Sequence, residues 1–276
     1  MGQGCRPEEP RLPEAQAHDT AQAPMKHARQ QSPAKSAWVK WAPGSDTAVA
    51  WITALAMVAV YYATTLLEPT LHEARFLFFV VIGPLCLNVF FPAYYVLHIR
   101  GEGLRELGIT ASRWWVALLL SIVLALPALP TLLAQAAQHP EVNLLPHVLF
   151  NGLTLWEPFF VHGWLQLRFE RAFGVLPGIV LAGLCFGGYH IGTYPWGGVV
   201  KIMGIGMLYG GLFRLTRNLL TLFPLVWAVG SSIGTLEGNL AFGWDAVAVS
   251  AVVLLVQIAV LVALARSHQC SMQATA

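Results

Sequence analysis

Residues 156–164 read WEPFFVHGW and lie inside a longer apolar run, 144–167, that is long enough to cross a lipid bilayer. A charged side chain near the centre of a bilayer costs at least about 3 kcal/mol on insertion scales. Glu157 is therefore a candidate functional residue. Two structural alternatives stand beside that interpretation: Glu157 is neutral and hydrogen-bonded within a bundle, or the run is a buried helix of a soluble protein.

The composition of the whole chain argues against a soluble protein. Hydrophobic residues make up 56% and charged residues 11% of the 276 residues, and the mean hydropathy is +0.60. The sequence predicts an all-α membrane protein, with about eight transmembrane helices in a bundle around an intramembrane polar pocket. The eight apolar runs are 47–67, 76–97, 114–136, 144–167, 173–193, 196–213, 218–236 and 244–265.

The distribution of Lys and Arg predicts the orientation of this bundle. Fourteen of them fall in the tails and in alternate connections on one side, whereas the other side holds only Arg75 and Lys201. Because Lys and Arg are enriched on the cytoplasmic side of membrane proteins, both termini are expected in the cytoplasm. The Ala-, Leu- and Pro-rich usage suits a high-GC bacterium, and the expected location is the bacterial inner membrane.

The chain divides into three parts by composition. Residues 1–45 are rich in Pro, Ala, Gln and charge, and they are expected to form a disordered cytoplasmic tail. Residues 46–267 form the membrane domain, and 268–276 form a short C-terminal tail. The expected partners are membrane lipid and a peptide or protein substrate. The net charge of +2 gives no indication of nucleic-acid binding.

Two polar side chains within the runs are expected at similar depth. At 1.5 Å per residue, Glu157 lies about 16 Å and His190 about 21 Å from the cytoplasmic end of their helices. His162 follows Glu157 by five residues, which rotates it by about 140° around the helix and points it elsewhere. Gly183 and Gly187 form a small-xxx-small pair, as do Gly206 and Gly210, and such pairs let helices approach closely.

A glutamate beside a histidine in a compact pocket suits peptide hydrolysis. A carboxylate in such a pocket can act as general base toward a water, and the histidine can orient that water or stabilise the oxyanion. Catalytic zinc usually takes three protein ligands, and only two candidates share one depth. No cofactor is therefore predicted.

These residues resemble the CAAX-protease and bacteriocin-processing (CPBP, or Abi) family of intramembrane peptidases. The likeness rests on a glutamate motif in the fourth run, on Phe186-x-x-x-His190 in the fifth, and on a leucine–glycine element in RGEGLRELGIT, 100–110. It covers roughly residues 98–235.

The resemblance also has departures. Where the family reads Glu-Glu-x-x-x-Arg-Gly, this chain keeps Glu157 and Gly163, but Pro158 replaces the second Glu and His162 replaces the Arg. The third motif, a His followed four residues later by Asn or a similar residue, has no His in LLTLFPLVWAVGSSIGT (219–235).

The family resemblance implies a role for each matching residue. Glu157 would activate water and His190 would assist it, with Phe186 as the other matched residue of the second motif. His162 would bond within the bundle, and Ser231 or Ser232 would stand at the partner position of the third motif.

Three functions remain open from the sequence. The first is a glutamate-type intramembrane endopeptidase that cuts near the membrane. The second is an inactive family member that acts as a membrane scaffold or immunity factor. The third is a small proton-coupled transporter that uses Glu157 and His190 as a relay.

Overall fold

The computed structural model describes residues 37–67, 71, 74 and 76–274. The expectation of disorder for 1–45 lies outside this range for residues 1–36, whereas residues 37–45 are described and hydrogen-bond to the end of the helix at Phe173. Helices account for most of the described chain, and each of the eight predicted apolar runs contains a helix. The helices are α1 (Ser45–Leu66), α2 (Leu77–Ile99), α3 (Trp114–Gln138), α4 (Leu144–Gly152), α5 (156–173), α6 (Val175–Gly188), α7 (Trp196–Thr216), α8 (Leu225–Glu237) and α9 (Trp244–Ala274).

The protein is an integral membrane protein of the all-α class, as predicted. Within the described part of the chain, five helices rather than eight are long and apolar enough to cross a membrane by length and composition: α1, α2, α3, α7 and α9. Helix α6 is apolar but shorter. The final helix continues beyond the predicted end at 265 as far as Ala274.

The predicted fourth span is two helices and not one. Helix α4 ends at Gly152, residues 153–155 leave the helical conformation, and α5 begins at Trp156. A proline in the middle of a helix kinks it, so Pro158 in the apolar run 144–167 predicts a kink in one continuous helix. In the structure Pro158 lies instead in the first turn of α5. The N–H groups of a first turn have no intrahelical partner, so proline costs little there. The break therefore falls before Pro158 rather than at it.

Two ends of the bundle can be distinguished by the contacts between their connections. The near face holds segments 37–44, 100–113 and 217–224, and the far face holds 139–143, 189–195 and 238–243. On the near face, the Lys40 amide donates to the Phe173 carbonyl (2.9 Å), and the Leu219 amide donates to the Gly108 carbonyl (2.9 Å). The end of α9 also lies on the near face, since Ser267 is hydrogen-bonded to His98 at the end of α2 (3.1 Å).

Helices α6 and α7 pack closely through the predicted glycines. A Cβ on Gly183 would lie 2.5 Å from Cγ of Met207, and one on Gly187 would lie 2.8 Å from the Val199 carbonyl. Gly206 lies opposite Gly183, where even a methyl group would collide. This close approach fixes the position of the last turn of α6. It thereby also fixes the position of His190, which lies two residues beyond the end of that helix.

Candidate active site

A cavity of about 480 Å³ lies within the bundle, and most of its lining is apolar or aromatic. Its polar lining includes both sequence-predicted residues, Glu157 and His190, together with Ser231. The walls come from α1, α2, the α4–α5 break, the end of α6, and helices α7, α8 and α9. The volume is in the range of ordinary small-molecule or peptide sites.

Glu157 is held in the first turn of α5, directly after the helix break. A helix N-terminus carries unpaired N–H groups and a partial positive charge, which favours a carboxylate at this position. The Tyr189 hydroxyl donates a hydrogen bond to Oε1 of Glu157 (3.1 Å). The Trp227 indole also approaches Glu157, although its N–H makes no hydrogen bond of ordinary geometry.

His190 lies beyond the end of α6, in the turn that leads to α7, and not inside a helix that extends to 193 as expected. Its Nδ1 lies 2.7 Å from the carbonyl oxygen of Phe186. A carbonyl only accepts, so Nδ1 carries the proton and Nε2 of the neutral ring is left with its lone pair. The ring stacks on Tyr189 (4.5 Å between centroids) and meets the edge of Phe186 (5.2 Å).

The structure thus brings Glu157 and His190 to one cavity, with Tyr189 between them. Tyr189 hydrogen-bonds the carboxylate and stacks on the imidazole. Both side chains lie at helix ends and line the same cavity, which agrees with the similar depth expected from residue counting. Tyr189 was not predicted as a site residue, because only Phe186 and His190 of the FGGYH segment match the family's second motif.

His162 points away from the cavity, as its helical rotation predicted. It is fully buried, and its Nδ1 lies 2.9 Å from Oε1 of Gln166. The amide of Gln166 donates in turn to Glu170 (2.9 Å), which pairs with Arg214 on α7 (3.6 Å). His162 therefore bonds within the bundle, as the family resemblance implied.

The two serine candidates differ. Ser231 lines the cavity, and its hydroxyl donates to Oδ1 of Asn151 on α4 (2.7 Å). Ser232 is fully buried, does not line the cavity, and donates to the Ala228 carbonyl of its own helix (2.6 Å). Of these two alternatives only Ser231 faces the cavity, because consecutive helical residues are about 100° apart.

A polar network that the sequence analysis missed connects α4 to α8. The position of His147 near one end of the apolar run 144–167 predicts a solvated or interfacial side chain. The structure shows it fully buried instead, with Nε2 3.0 Å from Oγ1 of Thr235. Asn151 donates to the His147 carbonyl (2.9 Å) and accepts from Ser231. His147 and Asn151 are four residues apart in an apolar run, so they share a helix face. Two polar residues four apart in an apolar run are the sequence pattern from which this network could have been predicted.

The site contains two side chains that could bind a metal, Glu157 and His190. Within residues 37–67, 71, 74 and 76–274, no three His, Cys, Asp or Glu side chains are grouped as a metal site would require. Glu157 and His190 supply one ligand fewer than the usual catalytic zinc set. Metal-bound water is therefore not part of the chemistry derived from this site.

The fold and the cavity define a class of protein: a polytopic helical membrane protein with a glutamate and a histidine at one intramembrane cavity. The family model described as type II CAAX prenyl endopeptidase Rce1-like matches residues 137–229. This match covers 93 of the 276 residues and confirms the resemblance read from the motifs. It also supports a CAAX-protease-like function in general terms. Searches of curated proteins and of solved structures gave no match.

Proposed function

We propose that this protein is a glutamate-type intramembrane endopeptidase that hydrolyses a peptide bond near the membrane. One observation carries the proposal: Glu157, at a helix N-terminus, shares a cavity with the free Nε2 of His190. The family match over 137–229 covers both residues and supports the same reading. The proposed setting is a bacterial inner membrane with both termini in the cytoplasm.

In the proposed reaction, Glu157 acts as general base. A water held between the Glu157 carboxylate and Nε2 of His190 loses a proton to Glu157 as its oxygen bonds to the substrate carbonyl carbon. The tetrahedral intermediate then collapses, the C–N bond breaks, and protonated Glu157 returns the proton to the leaving nitrogen. Atoms and charges balance over the cycle.

The hydrogen bond to Phe186 sets the role of His190. Because Nδ1 carries the proton, neutral His190 acts first as an acceptor toward the water. It becomes a donor to an oxyanion only after taking up a second proton. His190 therefore positions the water in the first step.

The test compares protein termini by mass spectrometry in membranes from cells that carry wild type, Glu157→Gln or Glu237→Gln at matched abundance. Glu237 makes an ion pair with Lys201 and does not line the cavity, so it controls for the same chemical change. A peptidase loses a small set of mature termini, and accumulates their precursors, only with Glu157→Gln.

Identical termini in all three strains would contradict the proposal. That result would favour the inactive scaffold or immunity factor. A pH-dependent solute flux that disappears with Glu157→Gln, with unchanged termini, would instead favour the transporter.

A further inference from the structure

The cavity occupies only one half of the bundle. Helices α2, α5, α7 and α9 run from the far face to the near face, and α1, α3, α6 and α8 run in the opposite direction. The lining residues lie late in α1 (Tyr61), early in α2 (Phe79), early in α9 (Asp245) and at the end of α6. The far-face segments 189–195 and 238–243 contribute to the lining, whereas the near-face segments 37–44, 100–113 and 217–224 contribute nothing.

The near half is filled by large side chains. Trp164, Phe169 and Phe213 are fully buried there, as is Leu107 from the connection between α2 and α3. That connection lies tightly against α5, since a Cβ on Gly163 would lie 2.5 Å from the Leu107 carbonyl oxygen. This layer separates the cavity from the near face.

A group of ion pairs closes the same end. Arg168 is fully buried and lies 3.2 Å from Oε2 of Glu102, and Arg171 lies 2.8 Å from Oε1 of the same carboxylate. Arg168 also lies 3.6 Å from Asp46 at the start of α1. The cluster ties α1, α5 and the 100–113 connection together below the aromatic layer.

Exposed tryptophans mark the two membrane interfaces independently of the cavity. Tryptophan is enriched where the hydrocarbon meets the headgroups. Trp114 and Trp115 are exposed at the start of α3, on the near face, and Trp196 and Trp244 are exposed at the starts of α7 and α9, on the far face. The cavity lies on the side of Trp196 and Trp244.

We infer that water and substrate reach Glu157 from the far face, which is opposite to the face that holds both ends of the described chain. This inference rests on the proposed function for its chemistry, but its geometry holds for any ligand of the cavity. Combined with cytoplasmic termini, it makes the substrate a peptide segment that is exposed on the non-cytoplasmic side of the membrane or that enters laterally from that leaflet.

Three glycines provide matched positions for a test. A side chain at Gly234 would meet nothing within 4 Å, and Gly234 lines the cavity. Gly103 on the near face and Gly197 on the far face also have open space for a side chain. Each is replaced by cysteine, as Gly234→Cys, Gly103→Cys and Gly197→Cys, in a full-length chain whose four native cysteines are serine.

The probe is 2-sulfonatoethyl methanethiosulfonate, a small thiol reagent that does not cross membranes. It is added to sealed vesicles of both orientations, and unreacted thiols are then counted with a mass tag after denaturation. Gly197→Cys and Gly103→Cys identify which vesicles expose the far face and which expose the near face. We expect Gly234→Cys to react at least about tenfold faster in the vesicles that expose the far face, since only an accessible thiolate reacts.

Reaction of Gly234→Cys together with Gly103→Cys would overturn the inference, as would reaction from both sides. A thiol at 234 that reacts only in detergent would overturn it too, because the cavity would then be closed on both faces. The readout does not need catalysis, so adding Glu157→Gln leaves it unchanged. Failure of the access inference is thereby separated from failure of the peptidase proposal.

Discussion

The hydroxyl of Tyr189 donates to Oε1 of Glu157 over 3.1 Å, although Tyr189 follows the end of α6 and Glu157 lies in the first turn of α5. The same tyrosine ring stacks on His190. A carboxylate can accept about four hydrogen bonds, so Glu157 retains acceptor capacity for a water. Tyr189 thus holds the two candidate catalytic side chains in a fixed relation.

Tyr189→Phe should weaken activity without loss of the protein. The substitution removes the hydrogen bond to Glu157 but keeps the ring contacts with His190 and Tyr61. We expect the rate at which mature termini form to fall by about tenfold, because a donor to a charged group is lost. Pulse-chase mass spectrometry measures this rate. Tyr62→Phe, at an exposed position on α1, is the control and should match wild type.

Substitutions of His190 should distinguish the roles of its two ring nitrogens. His190→Asn keeps a donor near the Phe186 carbonyl but has no group at the Nε2 position, whereas His190→Gln keeps a polar atom there. Misplacing a reacting group costs on the order of 10² in rate, so we expect a fall of about that size for His190→Asn, which no longer positions the water. A smaller fall for His190→Asn than for His190→Gln would show that the bond to Phe186 matters more than Nε2.

Ser231 and Ser232 form a natural pair of neighbours with different environments. The amide of Asn151 donates to the His147 carbonyl, which fixes its orientation, so its Oδ1 must accept and Ser231 must donate. Ser231 then presents lone pairs to the cavity and can accept a substrate N–H. We expect Ser231→Ala to slow processing about 2- to 10-fold, for one lost hydrogen bond.

Ser232→Ala is the control for this effect. Its hydroxyl bonds only to a carbonyl of its own helix, so processing should equal that of wild type. Ser231→Thr retains the hydroxyl and should restore most of the rate. Equal slowing by Ser231→Ala and Ser232→Ala would point to a general defect of α8 instead of a contact with substrate.

The α6–α7 contact should be sensitive to a single methyl group. Gly183→Ala places a Cβ 2.5 Å from Met207 and 2.9 Å from the Met203 carbonyl, and overpacking of this kind costs about 1–3 kcal/mol. Gly204→Ala on α7 meets nothing within 4 Å and should be neutral or stabilising by up to about 1 kcal/mol. Thermal unfolding in detergent compares the two. Equal midpoints would contradict the close packing.

The near-face ion cluster predicts a loss of stability in acid. Partial burial disfavours the charged form of Glu102, but hydrogen bonds and charges from Arg171 and Arg168 outweigh it and lower its pKa below 4.5. A lowered folded-state pKa contributes stability that is present above the unfolded value and is lost as pH falls through the folded one. We expect the unfolding midpoint to drop below about pH 4.5 in wild type.

Glu102→Gln should remove this part of the pH dependence while lowering stability at neutral pH. Glu141→Gln on the far face is a suitable comparison, since Glu141 is largely exposed and pairs only with His139. If wild type and Glu102→Gln lose stability in parallel as the pH falls, the titrating group is another carboxylate.

The sequence was sufficient for the apolar runs and for the placement of Glu157 and His190 at one cavity, because hydropathy and residue counting are regular within helices. It did not predict the break at 153–155, since Leu153 and Leu155 fit a continuous apolar helix and Pro158 drew the expected kink three residues too far along the chain. Ser231 and Ser232 differ by a rotation of about 100° around the helix. Hydropathy does not define the helix boundaries well enough to decide which of the two faces the cavity.

His147 shows a second limit. A histidine near the end of an apolar run is usually solvated or interfacial, and only the packing of α4 against α8 places it beside Thr235. Buried polar groups acquire partners from distant segments, here 88 residues away, which local patterns do not show.

The packed near half also has an electrical consequence. If solution fills the cavity down to Glu157, most of the membrane voltage falls across the layer formed by Trp164, Phe169 and the Arg168–Glu102 pair. Carrying one elementary charge through the full voltage corresponds to about 2.3 kcal/mol per 100 mV. The layer beneath the cavity therefore insulates the two faces of the membrane from each other, and a variant that opens a gap in it, such as Trp164→Ala, should make the protein leak protons.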